Sequence, residues 1–238
     1  AMLYSIGVQT VLPPGYLCCG YPQHATGNSD KGDQITTDNR VLFHRVANTL
    51  NYLDIKTVIV SCGTCMDQLQ KYQFEQIFPN ARLLDIHEFL LEKGVQIHGV
   101  EGVRYMYHDP CHSPMKTHNP LKVVSQLMDT DVPLSDRCCG ESGSFALSRP
   151  DIATQVRFRK EEELRKGADE LRADGFTGQV KVLTSCPACL QGLHRYRDDI
   201  DSDADYIVVE MAKYILGENW LPEYVAAANN GGIERVLV

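Results

Sequence analysis

The chain has 238 residues, 43% of them hydrophobic, which is enough to bury one large core or two smaller ones. Its formal net charge of −8 argues against a nucleic-acid or anionic-membrane partner, because such partners require a basic surface. The sequence shows no run of 18 apolar residues, so we expect no transmembrane segment. It also shows no signal-peptide pattern, and an odd number of cysteines, nine, would leave a thiol unpaired in a secreted protein, so we expect a cytoplasmic protein.

Helices and short buried strands alternate along the first part of the chain. The predicted elements are a helix at 37–53, a strand at 57–60, a helix ending at Tyr72, a strand at 81–84 and a helix at 87–93. The strand at 57–60 is a β-branched run without a polar face, which is typical of parallel sheets.

The second part repeats this order. The predicted elements are a strand at 103–107, helices at 119–128 and 150–173, a strand at 181–184, a strand entering a helix at 206–216 and a terminal appendage at 218–238. The long helix is expected to bury an apolar stripe and to expose its charged residues; the stripe consists of Ile152, Val156, Leu164, Ala168 and Leu171. We therefore predict an α/β fold with two pseudo-symmetric parallel-sheet modules, residues 1–98 and 99–238.

A cysteine pattern occurs twice and supports this division. Each copy has a Cys-Cys-Gly sequence followed by a Cys-x-x-Cys motif: Cys18, Cys19, Gly20, Cys62 and Cys65 in the first, and Cys138, Cys139, Gly140, Cys186 and Cys189 in the second. At an offset of 124 residues the flanks also match, for example Ser61 with Ser185 and Tyr72 with Tyr196.

The ninth cysteine, Cys111, precedes the second pair and has no counterpart in the first copy. Its equivalent would fall about nine residues before Ala1. We therefore expect the first module to be truncated at its N-terminus and its site to lack one ligand.

The spacing of the cysteines suits a metal or cluster site. A Cys-x-x-Cys motif at a strand-to-helix turn places both thiols on one face, near unpaired N–H groups that favour the thiolate. Adjacent cysteines on extended backbone point in opposite directions and can bridge two parts of a centre. Gly20, Gly140 and Gly143 are expected to let the backbone turn close to the bound group.

Other interpretations remain open at this point. A lone Cys-x-x-Cys motif is also found in redox-active pairs, and two can form a zinc site, although zinc ribbons rarely separate their motifs by 124 residues. Five soft ligands exceed the tetrahedral demand of zinc and favour an iron–sulfur cluster. His24, His108 and His112 are expected mainly to form hydrogen bonds, with a ligand or proton-relay role as the alternative. Asp109 is expected to cap a helix that starts at Pro110.

At these residues the chain resembles the cysteine-rich CCG family. That family includes the B subunit of heterodisulfide reductase, the iron–sulfur subunit of glycolate oxidase, lactate-utilisation proteins and the C-terminal regions of flavin-linked 2-hydroxyacid oxidoreductases. The second copy matches the whole family pattern, and the segment from Tyr107 to His112 is also similar.

The resemblance implies an iron–sulfur centre, [4Fe-4S] and in some relatives non-cubane, that exchanges electrons with FAD on a partner domain or subunit. The implied function is an electron-transfer unit, not catalytic alone, of an oxidoreductase that oxidises a 2-hydroxy acid such as D-lactate or glycolate. The alternatives are a cluster-based disulfide or thiol reductase, and a zinc-stabilised interaction module.

Overall fold

The structure is a computed structural model that describes residues 1–12, 17–141 and 145–231. Its packing divides the chain into two compact units. Unit 1 comprises Ala1–Val58, Gln68–Leu83 and Val208–Val238, and unit 2 comprises Ile59–Asp67 and Leu84–Ile207. The predicted module boundary at residue 98 stays a prediction.

Helices make up much of the described chain. The α-helices are α1 Met2–Ser5, α2 Tyr21–Ala25, α3 Ser29–Thr49, α4 Gly63–Leu69, α5 Phe74–Ile77, α6 Ile86–Glu92, α7 Pro120–Leu127, α8 Phe145–Ser148, α9 Pro150–Arg172, α10 Pro187–Leu193, α11 Arg197–Ile200, α12 Ile207–Leu216 and α13 Trp220–Asn229. Short 3₁₀ helices lie at Gln70–Tyr72 and His194–Tyr196. None of the helices in the described ranges combines the length and the apolar character that crossing a bilayer requires.

The strands form two sheets, and those of unit 2 are parallel, so the α/β prediction is confirmed. The strands are β1 Thr57–Val60, β2 Arg82–Asp85, β3 Val103–His108, β4 Leu134–Ser135, β5 Gln179–Thr184 and β6 Ser202–Tyr206. β1 and β2 pair with each other, and the four-stranded sheet has the order β4-β3-β5-β6.

The repeat inferred from the cysteines is also a repeat of secondary structure. Adding 124 to the bounds of α4 and of the 3₁₀ helix at Gln70–Tyr72 gives the bounds of α10 and of the 3₁₀ helix at His194–Tyr196. β1 and β5 end at the equivalent residues Val60 and Thr184. The same local sequence thus folds into the same strand, turn and helix in both copies.

Each unit has its own core. In unit 1, α3 packs over an aromatic group in which Phe43 lies edge-on to Phe74, with ring centroids 5.2 Å apart. α3 begins earlier than predicted because the Asn28 side chain accepts a hydrogen bond from the Lys31 N–H and caps it.

The core of unit 2 lies between the sheet and α9, and it includes two of the cysteines. Met106, Val180 and Val182 of the sheet pack against the α9 residues Leu164 and Ala168. Cys139 and Cys189 belong to the same cluster, so the predicted metal site borders a packed apolar core.

The burial predicted for the long helix α9 is wrong at two positions. Ile152 of the expected apolar stripe is exposed, whereas Lys160, on the face expected to be solvated, is fully buried. The predicted strand entering a helix at 206–216 is confirmed, with the change at its first residue, since β6 ends at Tyr206 and α12 begins at Ile207.

Candidate metal centre

The cysteines of the second copy follow the carboxyl ends of three neighbouring strands. His108 at the end of β3 pairs with Ser135 of β4 and with Thr184 of β5. Cys111, Cys138 and Cys186 come a few residues after these three positions. Because parallel strands end at the same edge of a sheet, the topology gathers three distant segments of sequence at one place.

The Cys-Cys-Gly sequences turn in the same way in both copies. Gly20 has φ +90° and Gly140 has φ +73°, and each donates its N–H to the sulfur two residues earlier, at 3.5 Å from Cys18 and 3.4 Å from Cys138. A Cβ on Gly140 would lie 3.1 Å from Cγ of Arg157, so both conformation and space favour glycine. Gly143 lies outside the described residues.

The five thiols of the second copy form a connected group. Sγ of Cys139 lies 3.4 Å from Sγ of Cys189, and Sγ of Cys111 lies 3.9 Å from Sγ of Cys138. Hydrogen bonds link Cys138 with Cys139 and Cys186 with Cys189. None of the nine cysteines, all of which lie in the described ranges, forms a disulfide.

The adjacent cysteines Cys138 and Cys139 have different partners besides each other. Cys138 faces Cys111 and Cys139 faces Cys189. Hydrogen bonds with Cys138 and Cys189 lower the pKa of Cys139, while the same contacts raise the pKa of Cys138 and of Cys189. These three thiols therefore lose their protons as one interacting group.

The two Cys-x-x-Cys motifs begin helices, as predicted. Cys186 is the N-cap of α10 and Pro187 occupies its first turn. A hydrogen bond with Cys189 lowers the pKa of Cys186 to about 7, and one with Cys65 lowers the pKa of Cys62 to about 5. The charge of Cys62 acts on Cys186, so these two residues of unit 2 are near each other.

A buried lysine and a glutamate of α9 hold the segment that leads to Cys138. Nζ of Lys160 donates to the carbonyl of Ser135 at 3.2 Å and contacts a carboxylate oxygen of Glu163 at 2.7 Å. The Glu163 carboxylate also accepts from the hydroxyl of Ser135 and from the N–H groups of Asp136 and Arg137. The backbone before the two cysteines is thus fixed from one side.

The loop that carries Cys111 is held by two carboxylates. Asp67 contacts Nδ1 of His112 at 2.5 Å and Nζ of Lys116 at 2.8 Å. Fully buried Glu88 accepts the N–H groups of Thr117 and His118 at 2.7 and 2.6 Å. Neither carboxylate was singled out from the sequence, because the contacts join segments far apart in the chain.

The predicted helix cap at Asp109 is wrong. No helix begins at Pro110 in the described structure, and the Asp109 carboxylate instead accepts a hydrogen bond from the hydroxyl of Tyr107 at 2.8 Å. Burial of this phenol raises the pKa of Tyr107, and the bond fixes the start of the cysteine loop.

His108 lies beside Cys139 and Cys189. These three buried residues offer one nitrogen and two sulfur atoms within 4.8 Å of one another. Nδ1 of His108 contacts the carbonyl of Ser135 at 3.3 Å, and its Nε2 is buried without a hydrogen-bond partner. The sequence drew attention to His108 only as a neighbour of Cys111. Its strand register is what brings it to Cys139.

The first copy is divided between the two units. Cys18 and Cys19 belong to unit 1, whereas Cys62 and Cys65 belong to unit 2. In unit 1, Asn39 donates to the carbonyl of Cys18 at 2.7 Å and the hydroxyl of Tyr72 donates to the carbonyl of Cys19 at 3.2 Å. The role of these four cysteines as ligands stays a prediction. His24 packs on Gly32, and its Nε2 lies 3.5 Å from the Asp33 carboxylate without forming a hydrogen bond.

A family model described as "Cysteine-rich domain" (CCG) matches residues 3–70 and 105–194, well over half of the chain. The chain belongs to the CCG family. This confirms the resemblance noted from the cysteine pattern. A second model, for a domain of unknown function (DUF3400), matches residues 194–238.

The chain is similar to two proteins with iron–sulfur in their names and to one named as a fumarate reductase subunit. An uncharacterised iron–sulfur protein of Methanocaldococcus jannaschii is 28% identical over 90% of this chain and 42% of its own length. The B subunit of the CoM/CoB fumarate reductase of Methanothermobacter marburgensis is 28% identical over 77% of this chain and 35% of its own. The glycolate oxidase iron–sulfur subunit of Escherichia coli is 34% identical over 37% of this chain and 23% of its own. This CCG protein therefore spans less than half of each of these relatives. No solved structure matches it significantly.

Proposed function

We propose that this CCG protein is the iron–sulfur electron-transfer unit of a flavin-linked oxidoreductase that acts on a 2-hydroxy acid of the D-lactate or glycolate type. The observation that carries the proposal is the connected group of five free thiols at the carboxyl edge of the parallel sheet. The name of the Escherichia coli relative, the iron–sulfur subunit of glycolate oxidase, supports a 2-hydroxy acid substrate and an oxidase partner.

The residues of this edge fit a cluster. Thiolates are the usual ligands of iron–sulfur clusters, and a buried imidazole nitrogen without a partner faces the same place. We assign Cys111, Cys138, Cys139, Cys186 and Cys189 as the ligands of one centre, and Cys18, Cys19, Cys62 and Cys65 as an incomplete set for another. A bound cluster would supply one-electron transfer; the protein supplies the geometry and the environment.

The chain's own residues prepare the site in three ways. The Gly140 N–H donates to the sulfur of Cys138 and so stabilises its negative charge. Burial of Cys139 and Cys189 against the core keeps water from the sulfurs. The pair Lys160 and Glu163 fixes the approach of the backbone. Hydrogen bonds, charge and solvent exposure are the factors that set the potential of such centres.

The test is anaerobic purification of the full chain followed by assays of iron, acid-labile sulfide and zinc. We expect iron and sulfide together, a visible absorption band that dithionite bleaches reversibly, and a reduced state detectable by electron paramagnetic resonance. Cys139→Ser should lose the signal of the second-copy centre, whereas Cys18→Ser should retain it, because Cys18 belongs to the other set.

Other outcomes would contradict the proposal. Stoichiometric zinc in colourless protein would indicate a zinc-stabilised interaction module. A loaded centre whose spectrum changes on addition of a disulfide or thiol substrate, without a flavin donor, would indicate a thiol or disulfide reductase instead of an electron-transfer unit.

A further inference from the structure

His108 is held in one orientation at the end of β3. It is 1% exposed, and its strand pairs with β4 on one side and β5 on the other. Nδ1 lies 3.3 Å from the carbonyl oxygen of Ser135, which also accepts from Nζ of Lys160 at 3.2 Å. The acceptor of the imidazole is therefore itself fixed by α9.

This contact determines which ring nitrogen carries the proton. A carbonyl oxygen only accepts hydrogen bonds, so Nδ1 of His108 must be the donor. In a neutral imidazole the other nitrogen, Nε2, then presents a lone pair. A histidine that ligates a metal usually has this arrangement, with its second ring nitrogen donating to a carbonyl or carboxylate.

The lone pair faces sulfur atoms and has no hydrogen-bond partner. One ring nitrogen of His108 lies within 4.8 Å of Sγ of both Cys139 and Cys189. Because Nδ1 faces the Ser135 carbonyl, the buried Nε2, which forms no hydrogen bond, is the nitrogen available to these sulfurs. A buried polar atom without a partner is destabilising. A metal ion held by the two sulfurs would give this atom a partner.

We propose that His108 binds iron through Nε2, beside Cys139 and Cys189, so that the second-copy centre has mixed histidine and cysteine ligation. This inference rests on the proposed iron–sulfur function and adds a ligand that the cysteine pattern does not contain. A neutral imidazole adds no negative charge to the centre, and histidine-ligated [2Fe–2S] centres have higher reduction potentials than all-cysteine ones.

The experiment uses the full chain, purified anaerobically, with histidine labelled with ¹⁵N in the imidazole ring. Pulsed electron paramagnetic resonance of the dithionite-reduced protein should show a strongly coupled histidine nitrogen, with the ¹⁴N pattern replaced by that of ¹⁵N on labelling. His108→Gln should lose this coupling and should still contain iron and sulfide, because the five cysteines remain. The control is His98→Gln, which removes an exposed imidazole whose Nδ1 contacts the Asp129 carboxylate and should keep the coupling.

Two failures are distinguishable. Iron and sulfide present in the unsubstituted protein, but no histidine coupling, would overturn the assignment of His108 and leave the proposed function intact. The same conclusion would follow if the coupling persisted in His108→Gln. Absence of iron and sulfide would overturn the proposed function and this inference with it. Where His108→Gln does not fold, the labelled unsubstituted protein still tests the proposal, because absence of histidine coupling would overturn it.

Discussion

Lys160→Met tests whether a buried cation organises the candidate centre. Methionine keeps the length and apolar part of the side chain, so the substitution mainly removes a charge and three polar contacts. Those contacts are with the carbonyl and the hydroxyl of Ser135 and with the Glu163 carboxylate, at 3.2, 2.5 and 2.7 Å. Breaking a fully buried ion pair costs about 3–5 kcal/mol.

The expected loss for Lys160→Met is smaller, about 2–3 kcal/mol. Glu163 is 20% exposed and keeps the Ser135 hydroxyl and two backbone N–H donors, so its charge remains partly compensated. The measurement is urea unfolding of the metal-free chain followed by circular dichroism, with the m-value checked for constancy. The loaded protein should also show a lower reduction potential, because a positive charge that favours the reduced state is gone.

The control is Lys166→Met on the same helix. Lys166 is 79% exposed and its Nζ lies 3.7 Å from the carboxylate of Glu170, so its loss should change stability by less than about 0.5 kcal/mol. Equal effects of the two substitutions would refute the reasoning. So would a gain of stability in Lys160→Met, which is the known result for some buried ion pairs replaced by apolar residues.

Three further predictions concern the supports of the site. Hydrogen bonds to the Glu163 carboxylate outweigh its partial burial and lower its pKa to about 2. The stability that this carboxylate contributes is therefore present above its usual pKa of 4.5 and is lost as the pH falls toward 2. In Glu163→Gln the unfolding midpoint should depend less on pH over this range. Gly175→Ala should lower the free energy of unfolding by roughly 1 kcal/mol, because alanine is strained in the left-handed conformation. Gly140→Ala should lower it by more and should also reduce iron content, because of these two sites only Gly140 would have a crowded Cβ. Glu88→Gln should cost about 2 kcal/mol and speed amide exchange at residues 117 and 118, since an amide offers their N–H groups a weaker acceptor.

The sequence predicted the turns of the site well because they are local. A strand followed by Cys-x-x-Cys and a helix depends on a few adjacent residues, and the same residues recur at an offset of 124. The positive φ of Gly20 and Gly140 is likewise a property of the Cys-Cys-Gly sequence. Family membership followed from the same residues.

Lys160 was missed although the sequence contains a signal for it. The predicted stripe of α9 advances in steps of four from Ile152 to Val156 and from Leu164 to Ala168, and residue 160 falls in the gap between them. A charged residue at a buried register position indicates a specific partner. That partner, the β4 residue Ser135, could not be identified because it depends on how the helix packs on the sheet.

Tyr72 and Tyr196 occupy equivalent positions in the two copies of the repeat. Both end a 3₁₀ helix and both are nearly or fully buried, yet their hydroxyls have different acceptors. Tyr72 donates to the carbonyl of Cys19, whereas Tyr196 donates at 3.1 Å to the carbonyl of Arg157, the residue that packs beside Gly140. Burial raises the pKa of Tyr196 to about 12, so the phenol stays protonated and donates. The repeated tyrosine therefore supports the Cys-Cys-Gly turn directly in one copy and through α9 in the other, which favours a structural role over a redox role.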